Sequence, residues 1–182
     1  APQGLEGANI AFPSVSVGAT ENLMMAACLA NGETRLVNAA REPEVVDLAN
    51  CLVSMGANIE GIGSDTLFIQ GCGGLTGARH RVLPDRIEAG TYAVAAAITH
   101  GNIELIGISP VHLSAAIEIL ANAGVSVKPT ENGISVSCSK DGLVGIDVMT
   151  EPYPGFPTDL QAQTMALMAS AKGASMITES IF

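Results

Sequence analysis

The chain has 182 residues, of which 48% are hydrophobic and only 14% charged, and its formal net charge is −10. This composition supplies ample apolar surface for a folded core and excludes an intrinsically disordered protein. The negative charge disfavours nucleic acid phosphates and anionic membranes, so we expect neither as a partner. No apolar run reaches the roughly 18 residues that a membrane span needs.

A sequence repeat with a period of about 70 residues organises the chain. In the first copy we predict helices over 17–32 and 43–55 and strands over 33–38, 58–60 and 66–70. In the second copy we predict helices over 86–101 and 110–123 and strands over 102–106, 126–128 and 133–137. The third copy is incomplete, with strands over 145–150 and 174–179 and a helix over 158–173. The repeating unit has the order β-α-β-α-β-β, which predicts an α/β fold.

The predicted helices differ in burial but share one kind of ending. A glycine follows each of them, and these glycines are Gly32, Gly56, Gly101, Gly124 and Gly173. Glycine adopts the left-handed conformation at little cost, so each is predicted to be the C′ residue of its helix. The first helix of each copy is apolar on every face, as in 23–30 and 93–98, which predicts burial on all sides. The second helices carry acids and amides on one side, which predicts one exposed face.

The glycine-rich segment 71–77 is the most loop-like part of the chain. It lies between the first two copies of the repeat, so it is predicted to be a hinge or a domain boundary. An ordinary surface turn is the alternative, because short glycine-rich connections are common in compact proteins.

No metal or redox motif stands out among the cysteines and histidines. The cysteines are Cys28, Cys51, Cys72 and Cys138, and none belongs to a C-x-x-C pair. We therefore expect buried free thiols, as in proteins of a reducing cytosol. The histidines, His80, His100 and His112, lack the spacing of metal ligands, so no metal site is expected.

A first candidate site opens the first predicted helix. It comprises Ser14, Val15, Ser16, Val17 and Gly18, with Thr20 one turn further on. Hydroxyls and small residues at a helix start let backbone N–H groups approach an anion, and the helix dipole favours negative charge there. A plain serine N-cap is the alternative.

A second candidate is the proline-rich segment 152–161, which delivers Thr158 and Asp159 to a helix start. Three prolines stiffen it more than a cap requires. A carboxylate there can accept a proton from a sugar hydroxyl, and the helix dipole holds it ionised. A simple capping pair is the alternative.

Two charged segments complete the candidates in this charge-poor chain. In 83–91, Arg86 either contacts an anionic ligand or forms a structural network with Asp85 and Glu88. In 38–44, Arg41 and two acids precede the second helix. A domain-interface role and an ordinary charged first turn are both open for 38–44.

The segments 16–20, 38–44, 83–88 and 156–163, followed by 178–182, stand together in the order and approximate spacing of one family. Over essentially its whole length the chain resembles UDP-N-acetylglucosamine 1-carboxyvinyltransferases. The sister 5-enolpyruvylshikimate 3-phosphate synthases share the fold but not this set of motifs. The resemblance implies an inside-out α/β barrel of two domains, each built of three β-α-β-α-β-β units. Residues 1–83 would then be the last unit of one domain, and 84–182 about one and a half units of the second.

The resemblance also implies an activity. The family transfers enolpyruvyl from phosphoenolpyruvate to the 3-hydroxyl of UDP-N-acetylglucosamine, without a cofactor, as the first committed step of cytoplasmic peptidoglycan synthesis. On this basis Asp159 is the base for the sugar hydroxyl. Ser14, Val15, Ser16, Val17 and Gly18 lie against the diphosphate and sugar, with Ser14 where some members carry Lys. The Ile181 backbone contacts substrate, and Arg86 lies near the phosphate chemistry in the interdomain region.

Essential parts of the family's chemistry fall outside this stretch. The general-acid cysteine, a Lys-Asn pair and several anion-binding arginines lie upstream in the family, and none of the four cysteines here matches the general acid. Because the chain starts at Ala1 without Met and stops at Phe182 after a strand-like run, we expect a piece of a longer protein. It would need the remainder of its own chain and be inactive alone. A noncatalytic nucleotide-sugar module, a related enolpyruvyl transferase of the shikimate pathway and a ligand-free structural repeat are the alternatives.

Overall fold

The computed structural model describes residues 4–138 and 142–182, so the chain start at Ala1 lies outside the described residues. The chain forms two compact units, Ala1–Leu83 and Pro84–Phe182. Their assignment to two domains of a longer enzyme stays a prediction. Within the described residues, no helix has both the length and the apolar character needed to cross a membrane.

The first unit has the complete order β-α-β-α-β-β. Its elements are β1 (Asn9–Ala11), α1 (Val17–Ala27), β2 (Glu33–Val37), α2 (Pro43–Ser54), β3 (Asn58–Glu60) and β4 (Thr66–Gln70). The strands form one sheet in the order β1-β2-β4-β3, in which β1 runs parallel to β2 and the other neighbours are antiparallel. Strand β1 is not among the predicted strands.

Alternating side chains of these strands build the core of the first unit. Leu36 on β2 and Leu67 and Ile69 on β4 are buried, while their neighbours along the strand face away. Met24 of α1 joins the same cluster, as does Ala49 of α2. The core is aliphatic, in keeping with a chain whose aromatic content is 3%.

The second unit repeats the same strand pairings. Its elements are α3 (Arg86–Ile98), β5 (Asn102–Ile106), a 3-10 turn (Pro110–Leu113), α4 (Ser114–Asn122), β6 (Val125–Pro129), β7 (Gly133–Cys138), β8 (Val148–Met149), a second 3-10 turn (Thr158–Leu160), α5 (Gln161–Ala169) and β9 (Ile177–Thr178). Strands β5-β7-β6 form an antiparallel sheet, and β8 pairs with β9 in parallel. The antiparallel pair β5–β7 corresponds to β2–β4, and the parallel pair β8–β9 corresponds to β1–β2. This correspondence confirms the repeat and the α/β class.

The predicted glycine ends hold for the second helices only. Gly56 and Gly124 follow the C-caps of α2 and α4 and have φ angles of +100° and +91°. For the first helices the prediction is wrong, because α1 ends at Ala27 and α5 at Ala169. Gly32 and Gly173 have positive φ, but they lie in the connections beyond those helices.

Helix α3 shows why its glycine does not take the left-handed position. His100 has a φ of +53° and is the C′ residue. Its N–H donates to Ala97 O at 3.2 Å, and the N–H of Gly101 donates to Ala96 O at 2.8 Å. These are the two bonds of a Schellman motif, so Gly101 occupies the following position.

The prediction that the first helices are buried on all sides is also wrong for this chain. Helix α1 buries Thr20 and Met24 but exposes Met25, while α3 exposes Tyr92 and α5 exposes Met165. Each of these helices packs on its neighbours through one face, because no barrel closes within the described residues. The remaining apolar faces are left to solvent.

The segment 71–77 is docked on the first unit and does not form its boundary. The N–H of Cys72 donates to Cys28 O at 2.9 Å, and the N–H of Thr76 donates to Met55 O at 2.8 Å. Leu75 packs against the core. Further along, His80 Nε2 lies 3.0 Å from Asp47 Oδ1 on α2. The division between the units comes later, after Leu83.

Candidate functional site

The start of α1 combines an ordinary N-cap with an open approach. Ser16 is the N-cap, and its Oγ accepts a hydrogen bond of 3.3 Å from the N–H of Ala19. Ser14 and Val15 are exposed. A Cβ at Gly18 would meet no atom within 4 Å, so packing within the chain does not explain glycine there. Ser16 thus caps the helix, there is open space beside Gly18, and anion binding at this helix start stays a prediction.

Thr20 connects this helix start to the charged segment 38–44. Its side chain is 0% exposed. The Thr20 hydroxyl donates to Ser16 O at 2.7 Å and accepts from the N–H of Ala40 at 3.0 Å. The two segments are 20 residues apart, and one hydroxyl fixes their spacing. The sequence gives no specific signal for this role, because Thr20 is followed directly by the polar residues Glu21 and Asn22 of the same helix.

Acidic side chains gather near the same helix. Burial is the main reason why the pKa of Glu21 lies above its ordinary value, and the negative charges of Glu44 and then Glu42 raise it further. An anion bound at the start of α1 would be attracted by backbone N–H groups, although the side chains near this helix are negative. The interface role of 38–44 stays a prediction.

In the second unit, the proline-rich loop closes on itself before Asp159. The N–H of Glu151 donates to Phe156 O and that of Gly155 to Pro152 O, both at 2.9 Å. Phe156 is buried, which anchors the loop. The 3-10 turn Thr158–Leu160 then leads directly into α5.

Asp159 occupies the middle of that 3-10 turn and is exposed. The next residue, Leu160, is buried and packs against α3 at Gly90, where an added Cβ would lie 2.7 Å from Leu160 Cδ1. The backbone of Asp159 is thus fixed by its buried neighbour while its carboxylate faces solvent. This geometry suits a group that must meet a ligand in a defined position.

Glu179 joins the Asp159 turn to the residues around Ile181. Its Oε2 accepts from the Thr158 hydroxyl at 2.9 Å. Its Oε1 accepts from the Thr150 hydroxyl and from the N–H of Ile181, each at 2.7 Å. These donors hold the pKa of Glu179 below its ordinary value, with the Thr150 hydroxyl as the largest cause and the Ile181 N–H next. No local pattern in the sequence marks Glu179, because Thr158 and Thr150 lie 21 and 29 residues away.

Arg86 is buried, in contrast to Asp159. It is the first residue of α3, its side chain is 5% exposed, and its guanidinium carbon lies 6.0 Å from the centroid of the Tyr153 ring. Both residues line a small cleft with about 250 Å³ of empty space, counting its open mouth, which His112 also lines. The neighbouring Asp85 caps α3 by accepting from the N–H of Ile87 at 2.8 Å. Substrate contact by Arg86 stays a prediction.

The structure therefore brings together some predicted site residues of the second unit. Glu179 connects Ile181 to Thr158, the residue before Asp159. The Arg86 guanidinium lies over the ring of Tyr153, in the loop that precedes Asp159. Ser14, Val15, Ser16, Val17 and Gly18 belong to the first unit. In residues 4–138 and 142–182, no three His, Cys, Asp or Glu side chains cluster as metal ligands would.

The family model described as EPSP synthase (3-phosphoshikimate 1-carboxyvinyltransferase) matches residues 1–182, and the chain belongs to that family. A more particular likeness is to proteins named UDP-N-acetylglucosamine 1-carboxyvinyltransferase. The chain is 61% identical over 179 residues to the one from Rhodospirillum centenum and 62% identical over 182 residues to the one from Acidiphilium cryptum. These matches cover 98% and 100% of the chain but 41% and 43% of the relatives. The chain thus spans about two fifths of their length, and the resemblance seen in its motifs is confirmed.

Solved structures of enolpyruvyl transferases share this fold. The enolpyruvyl transferase NikO from Streptomyces tendae superimposes with a TM-score of 0.79 at 23% identity, covering 97% of this chain and 45% of that one. EPSP synthase from Acinetobacter baumannii gives a TM-score of 0.60 at 24% identity over 96% of this chain and 40% of that one. The predicted fold class, an incomplete α/β barrel of the enolpyruvyl transferase type, is confirmed.

Proposed function

We propose that this chain is part of an enzyme that transfers enolpyruvyl from phosphoenolpyruvate to the 3-hydroxyl of UDP-N-acetylglucosamine. The observation that carries the proposal is the exposed Asp159 carboxylate on a fixed turn, in a chain about three-fifths identical to proteins named for that reaction. Peptidoglycan synthesis, and with it cell wall formation, cell shape and division, is the process that this reaction serves.

Asp159 is the proposed general base. An ionised carboxylate only accepts hydrogen bonds, so it can take the proton of the sugar 3-hydroxyl as that oxygen attacks the enol carbon of phosphoenolpyruvate. The α5 helix that follows favours negative charge at its start. Proton transfer by a positioned side chain contributes about 10²- to 10⁴-fold to a rate. As the C–O bond forms, an acid from the remainder of the chain would protonate the methylene carbon of phosphoenolpyruvate. The tetrahedral adduct would then lose a proton from that carbon together with inorganic phosphate, which restores the C=C bond in the enolpyruvyl ether.

The start of α1 is the proposed anion-binding element. Ser14, Val15, Ser16, Val17 and Gly18 would lie against the diphosphate and sugar, with attraction supplied by backbone N–H groups of a helix of 11 residues. The open space at Gly18 supports this role. Serine at position 14 carries no positive charge, so the backbone contribution matters more here than where Lys occurs.

Ile181 and Arg86 complete the proposal for the second unit. Ile181 is 37% exposed, and its N–H already donates to Glu179. A contact between substrate and the Ile181 backbone would therefore use the carbonyl oxygen. The burial of Arg86 supports a role in holding Tyr153 and the Asp159 loop beside the phosphate chemistry.

The proposed enzyme needs the remainder of its own chain. Only 8 Lys and Arg residues occur among 182, whereas both substrates are anions, so this stretch alone offers few cations to hold phosphoenolpyruvate. We propose that the 182 residues alone do not turn over. The cysteines in the described residues are unpaired thiols, which supports the reducing cytoplasm as the location.

The test is phosphate release by the full-length protein that contains this sequence. Phosphoenolpyruvate is supplied with either UDP-N-acetylglucosamine or shikimate 3-phosphate, and turnover is expected with the UDP-sugar only. Asp159→Ala should lower kcat at least about 100-fold, the lower end of what a general base contributes, with little change in UDP-sugar Kd. Asp65→Asn, on the exposed turn between β3 and β4, is the matched control. Three results would each contradict the proposal: turnover with shikimate 3-phosphate but not with the UDP-sugar, binding of the UDP-sugar without turnover, or a fully active Asp159→Ala variant.

A further inference from the structure

We propose that Glu179 is a positioning residue. Its carboxylate acts as a clamp that fixes the turn carrying Asp159 relative to Ile181. We use "Glu179 clamp" for the Glu179 carboxylate with three of its donors, Thr150, Thr158 and Ile181. The inference rests on the proposed function, because it assigns Asp159 and Ile181 to the substrate site.

The geometry of the clamp joins three separate pieces of chain. Thr150 follows β8, Thr158 opens the 3-10 turn of Asp159, and Ile181 lies beyond β9. Glu179 Oε1 receives the Thr150 hydroxyl and the Ile181 N–H at 2.7 Å, and Oε2 receives the Thr158 hydroxyl at 2.9 Å. One side chain therefore uses both oxygens to fix the two segments that are assigned to substrate.

The clamp is anchored in the protein core. Thr150 is 0% exposed, and its Oγ1 also accepts from the N–H of Ser180 at 2.9 Å. The N–H of Thr150 donates to Thr178 O at 3.0 Å, which extends the β8–β9 pairing. The Glu179 carboxylate therefore links the turn that carries Asp159 to the buried Thr150 side chain. Hydrogen bonds to an ionised acceptor are shorter and stronger than neutral ones, which suits a clamp.

Loss of the clamp would leave Asp159 with fewer restraints. Leu160 still anchors the far side of the turn, but the Thr158 hydroxyl would lose its bond to Glu179. A displacement of about 1 Å at a reacting group can lower a rate by about 100-fold. A purely structural Glu179, which only ties the end of β9 to β8, would instead affect stability and leave kcat unchanged well below the melting temperature.

The experiment uses the full-length enzyme and four variants: Glu179→Ala, Glu179→Gln, Thr158→Val and the double variant Thr158→Val/Glu179→Ala. Glu131→Ala, in the exposed β6–β7 turn, is the matched control. We expect Glu179→Ala to lower kcat about 10- to 100-fold, with a smaller change in KM for the UDP-sugar. Thr158→Val should lower kcat in the same direction. The double variant should be no slower than the slower single variant, because both changes remove the same contact.

Glu179→Gln separates positioning from direct chemistry. Its amide keeps an acceptor for Thr150 and Ile181, so it should recover part of the kcat lost in Glu179→Ala. In all variants the shape of the kcat–pH profile should be kept while its plateau falls, because Glu179 is not the base. A Gln variant as slow as Ala with the acid limb lost would overturn positioning in favour of Glu179 as the base.

Two further outcomes are decisive. If Glu179→Ala does not fold, Thr158→Val carries the test, since it removes only a hydroxyl. The clamp would be overturned if Thr158→Val or a folded Glu179→Ala had the kcat of the wild type while Asp159→Ala was inactive. The proposed function would still stand in that case. Absence of UDP-sugar turnover by the wild type would overturn the proposed function and the clamp with it, so the two failures are distinguishable.

Discussion

The hydroxyl of Thr20 accepts a hydrogen bond of 3.0 Å from the N–H of Ala40, and at the same time donates one of 2.7 Å to the carbonyl of Ser16. Both Thr20 and Ala40 are buried, so water does not substitute for this contact. One oxygen thereby connects the start of α1, the proposed anion-binding element, to the segment that leads into α2.

Replacing this hydroxyl should destabilise the first unit. In Thr20→Val the Ala40 N–H stays buried without its partner, which costs about 1–3 kcal/mol. Urea unfolding followed by circular dichroism measures the change, with Thr20→Ser as the control because it keeps the oxygen. We also expect weaker UDP-sugar binding by Thr20→Val, since Ser16 loses a restraint. Equal midpoints for Val and Ser would show that the contact contributes little.

A methyl group at position 90 should displace the Leu160 side chain. A Cβ at this position of α3 would lie 2.7 Å from Leu160 Cδ1 and 2.9 Å from Cδ2, and Leu160 directly follows Asp159. Alanine gains about 1 kcal/mol of helix propensity over glycine, but overpacking a core costs about 1–3 kcal/mol. Gly90→Ala should therefore lower kcat and leave stability unchanged or reduced. Ala95→Gly, on an exposed face of the same helix, is the control for propensity alone. A more stable, fully active Gly90→Ala would contradict the packing argument.

Glu179 should make the second unit sensitive to acid. Its pKa is lowered from the ordinary value of 4.5 by the Thr150 hydroxyl first, then the Ile181 N–H and other donors. A carboxyl whose folded pKa is depressed stabilises the fold above its unfolded pKa, and that stability is lost as pH falls through the folded pKa. We expect the melting temperature of the wild type to fall below about pH 4.5 more steeply than that of Glu179→Gln. Parallel curves for the two proteins would argue against the clamp being ionised.

Ionisation of Glu21 should have the opposite effect on stability from ionisation of Glu179. Its pKa is raised by burial first, and then by Glu44 and Glu42, so its ionised form opposes folding at neutral pH. Glu21→Gln should melt at a higher temperature than the wild type at pH 7, and the difference should shrink as acid protonates Glu21 in the wild type. Glu60→Gln, exposed on β3, is the control for charge alone. A lower melting temperature for Glu21→Gln at pH 7 would show that its carboxylate makes a favourable contact.

The regular elements can be predicted from local sequence patterns, whereas the contacts that organise the site cannot. Strands β3, β4 and β5 have the predicted bounds, because glycines lie close to both ends of each strand. Gly56 and Gly124 end their helices as predicted. Gly101 does not, because the Schellman bonds of α3 place His100 one residue earlier in the left-handed position.

Long-range hydrogen bonds explain the rest. Asp159 stands in a recognisable proline-rich segment, so its position at a helix start could be predicted from the sequence. The hydrogen bonds between Thr158 and Glu179 and between Thr20 and Ala40 join residues that are 21 and 20 apart in the sequence. Threonine and glutamate are common at protein surfaces, and only the fold decides that these side chains face one another.

The β8–β9 pairing has a consequence for observing the site in solution. Each strand has two residues, and among the described residues the two form a sheet of their own. So short a pair opens more readily than the three- and four-stranded sheets. The amides of Val148 and Thr150, which donate to Met176 and Thr178 at 2.8 and 3.0 Å, should therefore exchange with deuterium early. A substrate that engages Asp159 and Ile181 should slow this exchange, which makes two backbone amides a built-in reporter of occupancy.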